Sequence, residues 1–373
     1  MADEKSRGTR PKGGAARPRR EPPLYAAVDL GTNNCRLLIA APRGDSFVVV
    51  DSYSQVARLG EGLASTGRLS DAAIERAMDA LKKISQKIKA RKVGRVRCIA
   101  TEACRKADNG RAFIDRVREE TGLTFKIIRP QEEAQLALIG CHTLIDPQAS
   151  KVLVLDIGGG STELSLVDAS RVRQDGLTGI LAKPPIESWT SLPIGVVTLS
   201  ETFPDITEEE SYPLMVERAR MLMSQWKAAD AVRAAFAAGD AHIIGTSGTV
   251  TCVAGVHLKL DRYRRDLVDG IWMSEEESRS TMTMLREAGP EGRAKFPTIG
   301  NDRANLMLSG CAIVEAAWEL AAGGRMRVAD RGLREGLLLS MIRGPKRGNS
   351  RRKPGKSRRR RRSKPTAEAQ HGG

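Results

Sequence analysis

The sequence predicts an α/β protein made of two related domains that face one another. Three observations carry this reading. Strands and helices alternate from residue 25 to residue 343, a glycine-bearing strand–turn–strand unit occurs twice, and nearly all the net charge lies outside that span. A chain of 373 residues is long enough to give each of two domains an ordinary core.

The elements follow in order. YAAVDL (Tyr25 to Leu30) reads as a first strand, GTNN as a turn, CRLLIA (Cys35 to Ala40) as a second strand and SFVVVDSYSQV as a third. Ser70 can cap a helix whose Ile74, Met78, Leu81 and Ile88 recur at helical spacing. The strand RVRCIAT then runs into TEACRKADN, a helix spans about residues 110–120, FKIIR returns as a strand, and Pro130 opens the helix PQEEAQLALIGC. VLVLDIGGGSTELSLV (Val152 to Val167) starts the second half with another strand–turn–strand. The strand AHIIGTSG, a helix from about Thr249, helices over about 274–287 and 301–322, the strand RMRVAD and a last helix ending at Arg343 complete the chain.

The formal charge of +16 is unevenly placed. Residues 1–24 hold seven Lys/Arg and three Asp/Glu, residues 344–373 hold twelve Lys/Arg and one Asp/Glu, and residues 25–343 are left near +1. Both ends are rich in Pro, Gly, Ser and Arg and lack apolar periodicity, so disordered tails are expected. RRKPGKSRRRRRSKP (Arg351 to Pro365) would attract any polyanion, whether RNA, DNA, anionic lipid or a phosphate polymer. No signal-type apolar segment and no run of 18 apolar residues occurs, so a cytoplasmic protein that spans no membrane is expected. The six cysteines form no CxxC pair and the four histidines have no metal-like spacing, which argues against zinc and disulfides. Catalysis, if present, must run on carboxylates.

VDLGTNNCRLL and LDIGGGSTELS align without gaps at an offset of 127 positions. Asp29 falls on Asp156, Gly31 on Gly158, Asn33 on Gly160, Arg36 on Glu163 and Leu37 on Leu164. Glycine lets backbone approach a ligand closely, and successive N–H groups in a tight turn can cradle an anion. Thr32, Asn33, Asn34, Ser161 and Thr162 add short donors, and an aspartate ending the strand can hold a divalent cation against phosphate oxygens. An ordinary hairpin explains either copy alone; the duplication with Asp retained favours a two-sided phosphate grip. Neither copy is a P-loop, and no GxGxxG fingerprint occurs. Gly245, Ser247, Gly248 and Thr249 of HIIGTSGT stand at a helix start, which suits an anion or is simply a cap.

AAVDLGTNNCRLLIA, the arginine of ATEACRKADN, IRPQEEAQLALIG, VLDIGGGSTELSLV, LPIGVVTLSE, IIGTSGT and VADRGLREGLL together resemble the exopolyphosphatase and guanosine pentaphosphate phosphatase family, within the actin, sugar kinase and Hsp70 superfamily. The resemblance implies two ribonuclease H-like domains around a central cleft, here residues 25–137 and 138–343 between basic tails at 1–24 and 344–373, in the family's short two-domain form. It implies that Glu133 is the base activating water, although acids in a first helical turn ordinarily just complement the dipole. Glu132 is the less favoured neighbour.

It also implies that Glu163 is a second catalytic and metal-site carboxylate, Asp156 and its counterpart Asp29 further metal-site residues, and Arg105 a phosphate contact. From the residues alone, a surface salt bridge explains Arg105 equally well. Asn33, Gly158, Gly159, Gly160 and Ser161 form the phosphate cradle, with Gly245, Ser247 and Gly248 as a third wall, and Mg²⁺ is the implied cofactor, with Mn²⁺ as substitute. The implied activity is release of orthophosphate from the ends of inorganic polyphosphate. A pppGpp 5'-phosphohydrolase of the stringent response would use the same residues, and a kinase of the superfamily is disfavoured by the QEEA segment. A non-enzymatic polyphosphate- or RNA-binding protein acting through the tail is the remaining alternative, and a homodimer is the assembly the short members suggest.

Overall fold

A computed structural model describes residues 22–204 and 206–344; both expected tails, and any polyanion contact of the C-terminal one, lie essentially outside them. The first sheet consists of β1 (Tyr25–Leu30), β2 (Asn34–Arg43), β3 (Ser46–Val56), β4 (Arg95–Ala100) and β5 (Phe125–Ile127), in the order β3-β2-β1-β4-β5. The second consists of β6 (Lys151–Ile157), β7 (Thr162–Asp168), β8 (Ile186–Leu192), β9 (Ala241–Thr246), β10 (Trp272–Ser274) and β11 (Arg325–Ala329), in the order β10-β11-β9-β6-β7-β8. The repeat therefore extends through a whole sheet. β1 has antiparallel β2 on one side and parallel β4 on the other, while β6 has antiparallel β7 and parallel β9.

The alternation of side chains along a strand sorts each central strand into two faces. Ala26, Val28 and Leu30 pack with Ile74, Met78, Leu81 and Ile84 of the helix Asp71–Ala90, whose cap is Ser70 accepting from the Ala73 N–H at 3.2 Å. Leu153, Leu155 and Ile157 pack in the second core with Met307, Cys311 and Trp318 of the helix Asn301–Leu320. That leaves Asp29 on the face of Ala27 and Asp156 on the face of Val152 and Val154. Both faces are covered by two helices, Pro130–Cys141 and Leu333–Arg343, lying between the sheets.

Those helices touch at glycine. A Cβ on Gly140 would overlap the Gly332 carbonyl, and one on Gly336 the Leu136 carbonyl, so the helix backbones can meet only without side chains there. The last helix packs Leu337, Leu338 and Met341 against Ala27, Leu38 and Ile99 of the first sheet. Leu339 of the same helix packs with Val152 and Val154 of the second sheet, so the final helix serves both domains. Residues 169–240, where the sequence suggests no elements, hold β8 and the helices Ala169–Ala182, Val196–Ser200, Glu208–Ser224 and Ala229–Ala237. Among the described residues no helix is long and apolar enough to cross a membrane. All six cysteines are buried free thiols.

Candidate active site

The two hairpin turns close with the same bond: the Gly31 N–H donates to the Asn34 carbonyl and the Gly158 N–H to the Ser161 carbonyl, each at 2.9 Å. They meet tip to tip. A Cβ on Gly159 would lie 2.9 Å from Thr32 Cβ and 3.1 Å from the Asn33 nitrogen, and one on Gly160 would overlap the Glu102 carboxylate. The helix Val196–Ser200 donates its first N–H groups to the Gly158 and Gly159 carbonyls at 3.0 and 2.7 Å. With those carbonyls occupied, the glycine turn has N–H groups to offer a ligand, which suits an anion.

A cleft of about 540 Å³ opens beside this contact. Its lining includes Asp29, Asn33, Glu133, Asp156, Gly158, Gly159, Gly160, Ser161, Glu163, Ser247 and Gly248, so most residues expected at the site converge there. Two differ. Gly245 is not among the lining residues; it lies within β9, where a Cβ would stand 2.7 Å from Met326 Sδ, and its glycine serves packing. Arg105 stands at the edge, where its Nη1 donates to the Ile128 carbonyl at 2.8 Å and lies 3.5 Å from Glu133 Oε2. Ser247 Oγ accepts from the Val250 N–H at 2.9 Å, so it also caps the helix Gly248–His257.

The carboxylates crowd one another. Glu163 Oε1 accepts from Ser161 Oγ at 2.8 Å and Ser191 Oγ at 2.7 Å, yet burial still lifts its pKa to about 7. Burial, then the charges of Glu163 and Asp29, push Asp156 to about 8. Burial and the Glu163 charge hold Glu133 well above the usual carboxylate range against the pull of Arg105. Asp29 is raised by burial, opposed by Arg36 and Arg334.

The cleft lining also holds cationic residues that sequence reasoning did not assign to the site: Arg36, Arg265, Arg303, Arg331 and Arg334, with Tyr263. Burial and the neighbouring Arg334 charge depress the Arg36 pKa, a mark of cations packed closer than they would choose. The signal for Arg36 was its position in the repeat, opposite Glu163. The others reach the cleft from separate elements and share no spacing.

Mg²⁺ is tested by the donor set. Asp29 Oδ1, Asn33 Oδ1, Asn34 Oδ1 and Glu102 Oε2 are buried oxygens without a hydrogen-bond partner, and all four residues line the cleft. Hard oxygen donors fit Mg²⁺. Among the described residues no three His, Cys, Asp or Glu side chains form a ligand cluster alone.

Two sheets of matching topology around a cleft lined by twin glycine turns and buried carboxylates define an α/β enzyme of the actin, sugar kinase and Hsp70 architecture. Residues 38–344 match the model of the Ppx/GppA phosphatase family, and the chain belongs to that family. It is 26% identical over 317 residues to a Haemophilus influenzae protein named "Putative exopolyphosphatase", covering 85% of this chain and 90% of that one. It is 27% identical over 322 residues to the guanosine-5'-triphosphate,3'-diphosphate pyrophosphatase of Aeromonas hydrophila, covering 86% of this chain and 60% of that longer one. The crystal structure of the Aquifex aeolicus family member superposes with a TM-score of 0.68 at 28% identity, covering 86% of this chain and 97% of that one.

Proposed function

We propose that the protein is a Mg²⁺-dependent exopolyphosphatase in which Glu133 is the general base. The observation that carries this reading is the position of Glu133: buried in the cleft wall, beside Arg105, with burial and the Glu163 charge raising its pKa well above the usual carboxylate range, the direction that strengthens a base. Glu133 orients a water and accepts its proton as the oxygen attacks the terminal phosphorus. The bridging P–O bond breaks, orthophosphate leaves, and the chain is one unit shorter. Little covalent help is needed; positioning and charge neutralisation do the work.

The Gly158–Ser161 turn and Asn33 hold the terminal phosphate, Arg105 steadies Glu133, and the other arginines lining the cleft take the following phosphates, for which their planar forks are suited. One or two of Asp156, Glu163 and Asp29, with water and substrate oxygens, would hold Mg²⁺, which when bound neutralises charge on the transferred group. Tyr263 supports a second reading, pppGpp hydrolysis, because it gives the cleft an aromatic surface that polyphosphate does not need.

The test is phosphate release from long polyphosphate, pppGpp and ATP with Mg²⁺. Native protein should degrade polyphosphate without an acceptor, and Glu133→Gln should lose roughly 10²- to 10⁴-fold. Undiminished turnover in Glu133→Gln removes the assignment of the base, and preference for pppGpp selects the second reading.

A further inference from the structure

Glu102 is a buried carboxylate in the cleft that the internal repeat does not contain. It is 4% exposed and opens the short helix Glu102–Lys106. One oxygen is paired with Lys106, whose side chain is half exposed. The other, Oε2, has no partner. It lies against Gly160, at the point where that residue's Cβ would stand, and Thr32 Oγ1 is 3.0 Å from the same point. A hydroxyl and an unpartnered carboxylate oxygen of the first domain therefore converge on the tip of the second domain's glycine turn.

A buried carboxylate oxygen stripped of water and left without a donor is costly, and the arrangement calls for an occupant. The other unpartnered oxygens of the cleft, on Asp29, Asn33 and Asn34, are acceptors too. All four are acceptor oxygens left without a donor, and an anion alone would add further acceptors. Lys106 relieves one side of Glu102 from solvent but does not reach the oxygen that faces the turn.

We propose that Glu102 Oε2 and Thr32 Oγ1 form the protein side of a second divalent-cation position, separate from Asp156 and Glu163, at the tip of the Gly158–Ser161 turn. One carboxylate and one hydroxyl, with water completing the shell, is a donor set that Mg²⁺ and Mn²⁺ accept. The link to catalysis rests on the phosphate-binding role of that turn: the cation joins the terminal phosphate to the first domain and couples substrate binding to the meeting of the two hairpins. Cation binding itself needs no substrate.

The experiment is a titration of the full-length, substrate-free protein with Mn²⁺, followed by the electron paramagnetic resonance signal of free Mn²⁺, with thermal melts to establish that each variant folds. Native protein should show two classes of site. Glu102→Gln should lose one class or weaken it at least tenfold while Asp156→Asn affects the other, and Thr32→Val should weaken the same class as Glu102→Gln. Lys106→Ala separates the proposal from a plain ion pair, because removing a competing cation should leave Mn²⁺ binding intact or tighten it. An unchanged titration in Glu102→Gln, or a Lys106→Ala loss equal to that of Glu102→Gln, overturns the proposal. Because no phosphate compound is present, these outcomes are independent of which substrate the enzyme cleaves.

Discussion

Asp156 and Glu163 stand directly opposite one another across β6 and β7, in the register that Asp29 and Arg36 occupy across β1 and β2. The same hairpin thus carries residues of opposite charge in one half of the molecule and of like charge in the other. In the first half each residue's charge favours the charged form of the other, although burial opposes both. The like-charged half must either keep protons or gain a cation.

This difference predicts a pH dependence of stability. The folded pKa values of Asp156 and Glu163, about 8 and about 7, lie above their ordinary values of 3.8 and 4.5, so the folded state binds more protons than the unfolded chain between those limits. Stability of metal-free protein should fall as pH rises from about 4 to about 8. Mg²⁺ should raise the melting temperature most at the upper end. Thermal melts with chelator and with Mg²⁺ across this range check it, and Asp156→Asn should flatten the metal-free slope.

Arg105 lowers the pKa of Glu133. Arg105→Met should therefore move the acid limb of the pH–rate profile to higher pH, and Arg105→Lys should restore part of the shift. A loss of activity with the profile unmoved would assign Arg105 to substrate alone.

The meeting of the turns leaves no room for a side chain. Gly160→Ala must displace Glu102 or part the hairpins, at about 1–3 kcal/mol in the manner of an overpacked core. The expected kinetic result is a loss of kcat exceeding what the melting temperature alone accounts for. Gly140→Ala, which strikes the Gly332 backbone, should cost a similar amount of stability, read from denaturant midpoints.

Removal of residues 345–373 takes away most of the positive charge outside the fold. Truncated enzyme should keep its kcat, bind long polyphosphate more weakly at low salt, and lose the steep salt dependence of the full chain. Equal KM values for the two proteins at 50 and 200 mM salt would deny the tail this role.

Legibility in the sequence followed local signals. Ser70, Pro130 and the apolar length of residues 301–320 announce their helices, and the repeat announces Asp29, Asp156 and the glycine turns. Residues 169–240 give weaker signals for physical reasons. β8 is an edge strand whose residues are mostly half buried, so IESWTSL shows no apolar alternation. Gly176, at φ +58°, interrupts the helix Ala169–Ala182, and Pro213 sits inside Glu208–Ser224. That second helix did carry a readable mark, the capping box of Thr207 and Glu210. In the cleft, Glu133 looks like any acid in a first helical turn, and only the family resemblance singles it out. Glu102, Arg303 and Arg334 reach one cleft through folding alone.

The return of the last helix to the first sheet also orders events during synthesis. The face of Ala27, Leu38 and Ile99 is made near the start of translation, but Leu337, Leu338 and Met341, which cover it, come more than 200 residues later. Until they emerge from the ribosome that face is covered only in part, by Ile128 and Leu136, and a nascent chain at this stage is open to chaperones and to aggregation. A stop codon before residue 333 would therefore damage the first half of the protein as well as the half in which it falls.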